Sequence, residues 1–159
     1  MLLRRYEEKD TVQLCDIFYN TIHTVNKNDY TKEELEAWAP SNSYNDETYK
    51  KDTIRWNKIK PFVVHENDIV YGFAELEDEG HINCFFVHHE HQGKGVGTAL
   101  AKACIDEAKA LGYKEIVTEV SITAKAFFLS QGFKLISPTL CDISGLNMKY
   151  YIMKYYLSE

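Results

Sequence analysis

Apolar and polar positions recur with two periods along the 159-residue chain, and the switches between them mark its elements. Residues 2–6 read as a short strand. Beyond it Val12, Cys15, Phe18, Tyr19 and Ile22 fall on one helical face, predicting a helix over 11–25 capped by Asp10 or Thr11. Thr31, with Glu34 three residues on, makes a capping box for a short helix over 32–38 that stops at Pro40. A polar loop over 42–46 leads into another helix over 46–58, with Tyr49, Thr53 and Trp56 in its stripe. Strands follow over 61–65, 69–76 and 81–87, joined by turns so short that the three must run antiparallel. Val96, Leu100, Cys104, Ala108 and Leu111 give the cleanest helical face, with Gly112 as its stop. A strand over 114–120, a helix over 124–131 stopped by Gly132, a strand over 133–136, a loop over 138–145 and a β-rich run over 147–156 complete the chain. The predicted order is β-α-α-α-β-β-β-α-β-α-β-β, a mixed α/β class in one domain over 1–159.

Composition narrows the partners. A net charge of −6 with no basic stripe excludes nucleic acid as the expected partner. No apolar run reaches spanning length and the start does not read as a signal peptide, so no membrane association is expected. The four cysteines, Cys15, Cys84, Cys104 and Cys141, form no C-x-x-C pair and read as reduced core residues of a cytoplasmic protein.

One stretch carries chemistry. The strand ending Phe85-Phe86-Val87 meets a polar loop, then Gln92-Gly93-Lys94-Gly95-Val96-Gly97, then the cleanest helix. Glycines let the backbone turn its N–H groups inward, and a helix N-terminus adds partial positive charge, so this is an anion-binding device. It is not a P-loop, because no glycine precedes Gly93 at the required spacing and Lys94 lies too early. It is a poor dinucleotide fingerprint, since G-x-G-x-x reaches Thr98 and follows the third strand of a meander. His88, His89, Glu90 and His91 precede it, but their spacing fits neither a strand face nor a helix face, so a solvated loop and no metal are expected.

Gln92-x-x-Gly95-x-Gly97 directly after that strand resembles the central motif of the GNAT (Gcn5-related) N-acetyltransferases, and Phe127-Phe128-Leu129-Ser130-Gln131-Gly132-Phe133 is similar to the family's second motif. With the element order, the resemblance covers nearly the whole chain. A narrower likeness, carried by Tyr30, Trp38-Ala39-Pro40 and Ser121-x-Thr123-Ala124, is to a bacterial subgroup of unassigned substrate. The resemblance implies acetyl-CoA as the acyl donor, no metal, and direct transfer to a small-molecule or peptide amine, by a chain that could pair as a homodimer. It implies that the N–H groups of Gly93, Lys94, Gly95, Val96, Gly97 and Thr98 face the pyrophosphate, that Gln92 belongs to the same loop, and that Phe85, Phe86 and Val87 pair with the pantetheine arm. Ser121 stands where many members have an arm-contacting Asn. Phe128 stands where many have a Tyr that protonates the thiolate, and Phe has no proton to give.

Transfer to an amine needs a base, an oxyanion donor and a proton for the thiolate. The Val87 N–H is the expected oxyanion donor. Glu75 is the first candidate for the base, ahead of Glu77 and Glu119, while His81 could act through water. Tyr30 and Trp38 are expected to line the acceptor pocket. Two alternatives stay open: transfer of a longer acyl group, and a non-catalytic acyl-CoA-binding or sensing module, which the missing Tyr at Phe128 motivates.

Overall fold

The computed structural model describes residues 1–42 and 44–157; Ser43, within the loop expected over 42–46, lies outside them. Strand β1 (Leu2–Arg5) leads to α1 (Thr11–Thr24), α2 (Lys32–Trp38) and α3 (Asp46–Ile59). The antiparallel strands β2 (Phe62–Glu66), β3 (Ile69–Glu77) and β4 (His81–Val87) follow, then α4 (Val96–Ala110), β5 (Glu115–Ser121), α5 (Lys125–Ser130), β6 (Lys134–Ile143) and β7 (Leu146–Tyr156). The expected capping box is present: the Thr31 hydroxyl accepts from the Glu34 N–H at 3.1 Å, and Glu34 accepts from the Thr31 N–H at 2.9 Å.

The seven strands form one sheet in the order β1-β2-β3-β4-β5-β7-β6. Every pairing is antiparallel except β4 with β5, which is parallel. Strand alternation sends side chains to two layers. On one face α4 and α5 cover Leu100, Cys104, Ile116, Phe128, Phe133 and Met153. On the other, α1 and α3 pack Leu14, Ile17 and Trp56 onto Phe73, while α2 brings Leu35 to Met148 and Tyr150.

The end of the chain departs from expectation. The strand predicted over 133–136 runs on through Pro138 to Ile143, where a loop was expected. Proline interrupts a central strand because it lacks an N–H, but β6 is an edge strand with β7 as its one neighbour. Pro138 sits opposite Tyr151, just past a bulge between Leu135 and Ser137.

A candidate acyl-CoA wedge and acceptor cavity

The site begins with a register fault. Ala74 pairs with Phe85, but the next pair is Leu76 with Ile82, so Asn83 and Cys84 of β4 together oppose Glu75 of β3. Such a bulge bends its strand and steepens the local twist. β4 meets β5 only at His81–Val117 and Ile82–Thr118, and no further pairing is made from Asn83 to Val87. The Thr118 hydroxyl, donating to the Ile82 carbonyl at 3.0 Å, closes the apex of the resulting wedge.

Backbone groups line the wedge. The His88 N–H donates to the Tyr71 carbonyl at 2.8 Å, which makes that couple a hydrogen-bonded pair of the β3–β4 ladder. Bonded and non-bonded pairs alternate, so Gly72–Val87 and Ala74–Phe85 are non-bonded and the N–H groups of Val87 and Phe85 turn away from β3, toward the opening. The Val87 carbonyl turns the same way and accepts from the Thr21 hydroxyl at 3.0 Å and from Gln92 Nε2 at 2.7 Å. Gln92 thereby ties the glycine loop to the end of β4.

The loop follows at once. Gly93 and Gly95 adopt positive φ of 73° and 85°, and Gly95 caps α4. The first i→i−4 bond of α4 is Ala99 N–H to the Gly95 carbonyl, at 3.1 Å, which leaves the N–H groups of Val96, Gly97 and Thr98 free of helical partners. Val96 is buried in the core and pins the turn. A Cβ on Gly97 would lie 2.9 Å from the Phe127 ring, so only glycine lets α5 lie against the loop. The loop and the wedge open into one cavity of about 640 Å³, whose walls run from Gly93, Gly95, Gly97 and Thr98 through Phe85–Val87 to Phe18, Trp38, Glu119, Cys141 and Tyr150 on the opposite face of the sheet.

A family model described as an acetyltransferase (GNAT) domain matches residues 26–152. The chain belongs to the GNAT acetyltransferase family. It is 27% identical over 153 residues, 96% of the chain and 94% of the relative, to the uncharacterized N-acetyltransferase YafP of Escherichia coli. Among solved structures it resembles a GCN5-related N-acetyltransferase from Rhodopseudomonas palustris, with TM-score 0.89 and 27% identity over 98% of this chain and 95% of that one. The fold is shared with the putative acetyltransferase yncA of Salmonella typhimurium, solved with acetyl-CoA, at TM-score 0.72 and 20% identity over 100% of this chain and 95% of that one.

On this GNAT scaffold the expected residues separate into three groups. Gln92, Gly93, Lys94, Gly95, Val96, Gly97 and Thr98 form the loop and the first turn of α4, and Phe85, Phe86 and Val87 form the wedge strand. Ser121 lines the cavity at the end of β5, where its hydroxyl accepts from the Ala124 N–H at 3.2 Å and from Asn26 Nδ2 at 3.4 Å. Phe128 reaches the cavity but is only 3% exposed and packs edge-to-face with Phe85 and Phe133. Burial of such a ring contributes about 2–3 kcal/mol, which gives Phe128 a packing role where a proton donor was the family expectation.

The acceptor residues are redistributed. Trp38 lines the cavity. Tyr30 does not: its hydroxyl donates to the Lys149 carbonyl at 2.6 Å and accepts from the Ile122 N–H at 3.0 Å, tying α2 to the sheet. Cys84 and Cys141, expected in the core, are half-buried on the cavity wall, whereas Cys15 and Cys104 are buried. The bulge turns Cys84 outward, and Cys141 belongs to the stretch of β6 that was expected as loop.

Glu75 is 0% exposed and is held by four donors. Arg55 Nη1 and Nη2 bind its two oxygens at 2.7 and 3.0 Å, Trp56 Nε1 donates at 2.8 Å and Asn83 Nδ2 at 3.2 Å. Burial alone would raise its pKa, but Arg55, Trp56 and Asn83 outweigh it and hold the carboxyl below the ordinary range. A carboxylate so stabilised is a poor proton acceptor, and Glu75 does not border the cavity. Its bond to Asn83 fixes it instead to the bulge that opens the wedge.

Glu119 does border the cavity. It accepts from His81 Nε2 at 2.8 Å, while His81 Nδ1 is bonded to Glu77 at 2.8 Å. Burial lowers the His81 pKa, but the two carboxylates reverse this and leave it raised, so the row Glu77–His81–Glu119 favours a central imidazolium.

Sequence reasoning missed Tyr150. It is 8% exposed, lies opposite Ser121 across the β5–β7 ladder, packs on Trp38 and lines the cavity. Among the described residues its hydroxyl makes no hydrogen bond, and burial pushes its pKa well up. The signal was the alternation of Met148, Tyr150 and Ile152 within the β-rich run. Next to the loop, the structure also gathers ligand atoms of His88, His89 and Glu90 within 4.8 Å of one another, although His88 Nδ1 already accepts from the Glu90 N–H at 3.0 Å.

Proposed function

We propose that this protein transfers the acetyl group of acetyl-CoA directly to an amine acceptor, with the whole of residues 1–159 forming one transferase unit. The observation that carries the reading is the wedge: β4 loses β5 beyond Ile82 with the Val87 and Phe85 N–H groups aimed into the gap, and the gap leads straight to the loop of free N–H groups at Val96–Thr98. In this reading the pantetheine arm replaces the missing β5 partner of Phe85–Val87. The pyrophosphate sits on Gly93–Thr98, where a helix N-terminus and inward backbone donors favour an anion. The thioester then lies near Val87, whose N–H stabilises the developing oxyanion; one such donor is worth about 3–4 kcal/mol in related sites.

Protons move on the opposite face. Glu119 takes the proton from the acceptor ammonium, directly or through water, and the His81–Glu77 row leads outward from it. Tyr150 supplies the proton for the departing thiolate, a role that Phe128 cannot fill. The protons and bonds balance: Glu119 first passes one ammonium proton to solvent, the neutral amine nitrogen then forms a bond to the acetyl carbon as the carbon–sulfur bond breaks, its second proton goes to Glu119, and the Tyr150 proton goes to sulfur. Solvent then returns a proton to Tyr150. The protein is read as a cytoplasmic enzyme; among the described residues no helix is long and apolar enough to cross a membrane.

The test is release of free CoA from acetyl-CoA against a panel of primary amines, with acetyl-CoA affinity measured by calorimetry. Amine-dependent release supports acetyl transfer. Tight binding with no release from any amine would instead favour the sensing module that the loss of Tyr at Phe128 suggests. Absence of binding would remove the wedge from the cofactor role altogether.

A further inference from the structure

The cavity has a neighbour on the α1–α3 side. Phe18 and Cys84 also border a second cavity of about 200 Å³, walled by α1 and α3. Tyr44, Trp56 and Phe73 supply ring walls, and the charged groups are Asp52 and Arg55.

The two charges are not equivalent. Arg55 is committed to Glu75 through both terminal nitrogens, so that pair is close to neutral when seen from the chamber. Asp52 has no such partner. Among the described residues its carboxylate accepts only from the Cys15 thiol at 3.4 Å, a weak donor. Asp16, next in sequence to Cys15, adds negative field: after burial itself, Cys15, Asp52 and Asp16 are what hold the Tyr44 phenol above its usual range. With Arg55 set against Glu75, the surplus in the chamber is negative and its walls are aromatic rings. That combination attracts a cation and repels a carboxylate.

We propose that the acceptor is a primary amine that carries a second cationic group, an alkyl diamine being the simplest form. The reacting nitrogen lies by Val87 and Glu119, the methylene chain crosses Phe18, and the distal ammonium enters the Asp52 chamber. The inference rests on the acetyl-transfer reading for which nitrogen reacts, but the chamber itself is testable without turnover.

The experiment titrates the CoA-loaded protein calorimetrically with a matched four-carbon series: the terminal diamine, butylamine and the terminal amino acid. The diamine is expected to bind about tenfold or more tighter than butylamine, with the amino acid weakest. In Asp52→Asn the preference for diamine over butylamine should fall about tenfold, and Asp52→Glu should restore most of it. Acetyl-CoA affinity reports whether each variant is folded; if neither folds, the three-ligand comparison on the wild-type protein decides alone. Equal binding of diamine and butylamine, no binding of either, or a preference for the amino acid (which would put Arg55 in charge) overturns the proposal, as does an Asp52→Asn protein that keeps the full preference. CoA release is read on the same series. Diamine binding without release sinks acetyl transfer and leaves the chamber standing, whereas equal release from butylamine and diamine, with equal affinities, sinks the chamber and leaves acetyl transfer standing.

Discussion

Replacing Glu75 by Gln separates two roles that a carboxylate in the middle of a sheet can play. The substitution is nearly isosteric but removes the charge that holds Arg55 and places an amide NH₂ against at least one of four donors, from Arg55, Trp56 and Asn83. Breaking a pair whose carboxylate is buried and whose guanidinium is 39% exposed costs about 2–4 kcal/mol, less than for a wholly buried pair because water reaches the guanidinium left behind. For a domain of this size each kcal/mol moves Tm by about 2–4 °C, so a fall of roughly 10 °C is expected. The bulge at Asn83–Cys84 should loosen with it, weakening acetyl-CoA binding by about tenfold, since one of its anchors is the Asn83–Glu75 bond. The pH dependence has a definite sign. The folded pKa lies below the unfolded value of 4.5, so the stabilisation is fully present above that value and is lost as pH falls through the folded one. The Tm difference between wild type and variant should therefore shrink in acid. Thermal melts at several pH values and calorimetric titration of acetyl-CoA measure all three quantities. A variant with wild-type Tm and acetyl-CoA affinity, but a lowered kcat and a shifted pH–rate profile, would return Glu75 to the role of base.

Gly95→Glu should weaken acetyl-CoA binding by roughly a hundredfold or more, because like charges forced together cost several kcal/mol; a Cβ there would meet only the Met1 side chain, at 3.6 Å, but the φ of 85° costs a non-glycine residue about 1–2 kcal/mol, so Tm should fall by about 2–8 °C, and unchanged binding in calorimetry would unseat the loop. Tyr150→Phe should lower kcat about a hundredfold with acetyl-CoA affinity intact, and in the wild type no loss of kcat traceable to this phenol should appear below pH 10, because burial keeps it protonated; a change under twofold would remove it as donor. His81→Asn should lower Tm by about 2 °C below pH 6.5, the partly exposed pairs with Glu77 and Glu119 being weak, and the difference should vanish as pH rises through the raised folded pKa of His81. A difference that grows with pH would contradict the imidazolium assignment.

The cofactor side was legible in the sequence because it is built from local pattern. A strand, a glycine loop and a helix start are contiguous over 81–98, and each is specified by residues within a few positions of one another. The second motif is equally local, since Phe127 and Phe128 sit on one short helix. The acceptor side is made of residues from α1, α2, α3, β5 and β7, which meet only after the sheet has closed. Tyr150 is one of eleven tyrosines; the alternation of Met148, Tyr150 and Ile152 marks it as inward-facing, but not as part of a site until Ser121 and Trp38 arrive from elsewhere in the chain. The run of β6 through Pro138 was hidden for a related reason, since proline excludes a central strand but not an edge, and edge position is a property of the sheet order.

The bulge in β4 shows why the residue expected as the base does not border the cavity. Counted along the strand, Glu75 is central and next to the strand that carries Val87, which is what a base would need. Glu75 does enter the α1–α3 layer, but there Arg55, Trp56 and Asn83 enclose it and it does not border the cavity. The offset at Asn83–Cys84 sets two residues of β4 against Glu75, and the same offset bends β4 away from β5 to open the wedge. Glu75 thus spends its hydrogen-bonding capacity on Arg55, Trp56 and Asn83 at the very point where the sheet departs from regularity. Removing its proton affinity is a consequence of that arrangement. Both oxygens of Glu75 are tied to donors, which leaves none to take a proton, whereas among the described residues Glu119 is bonded through Oε1 alone, to His81. In the proposed mechanism the two duties therefore fall to different side chains, Glu75 on the bulge and Glu119 on the cavity wall.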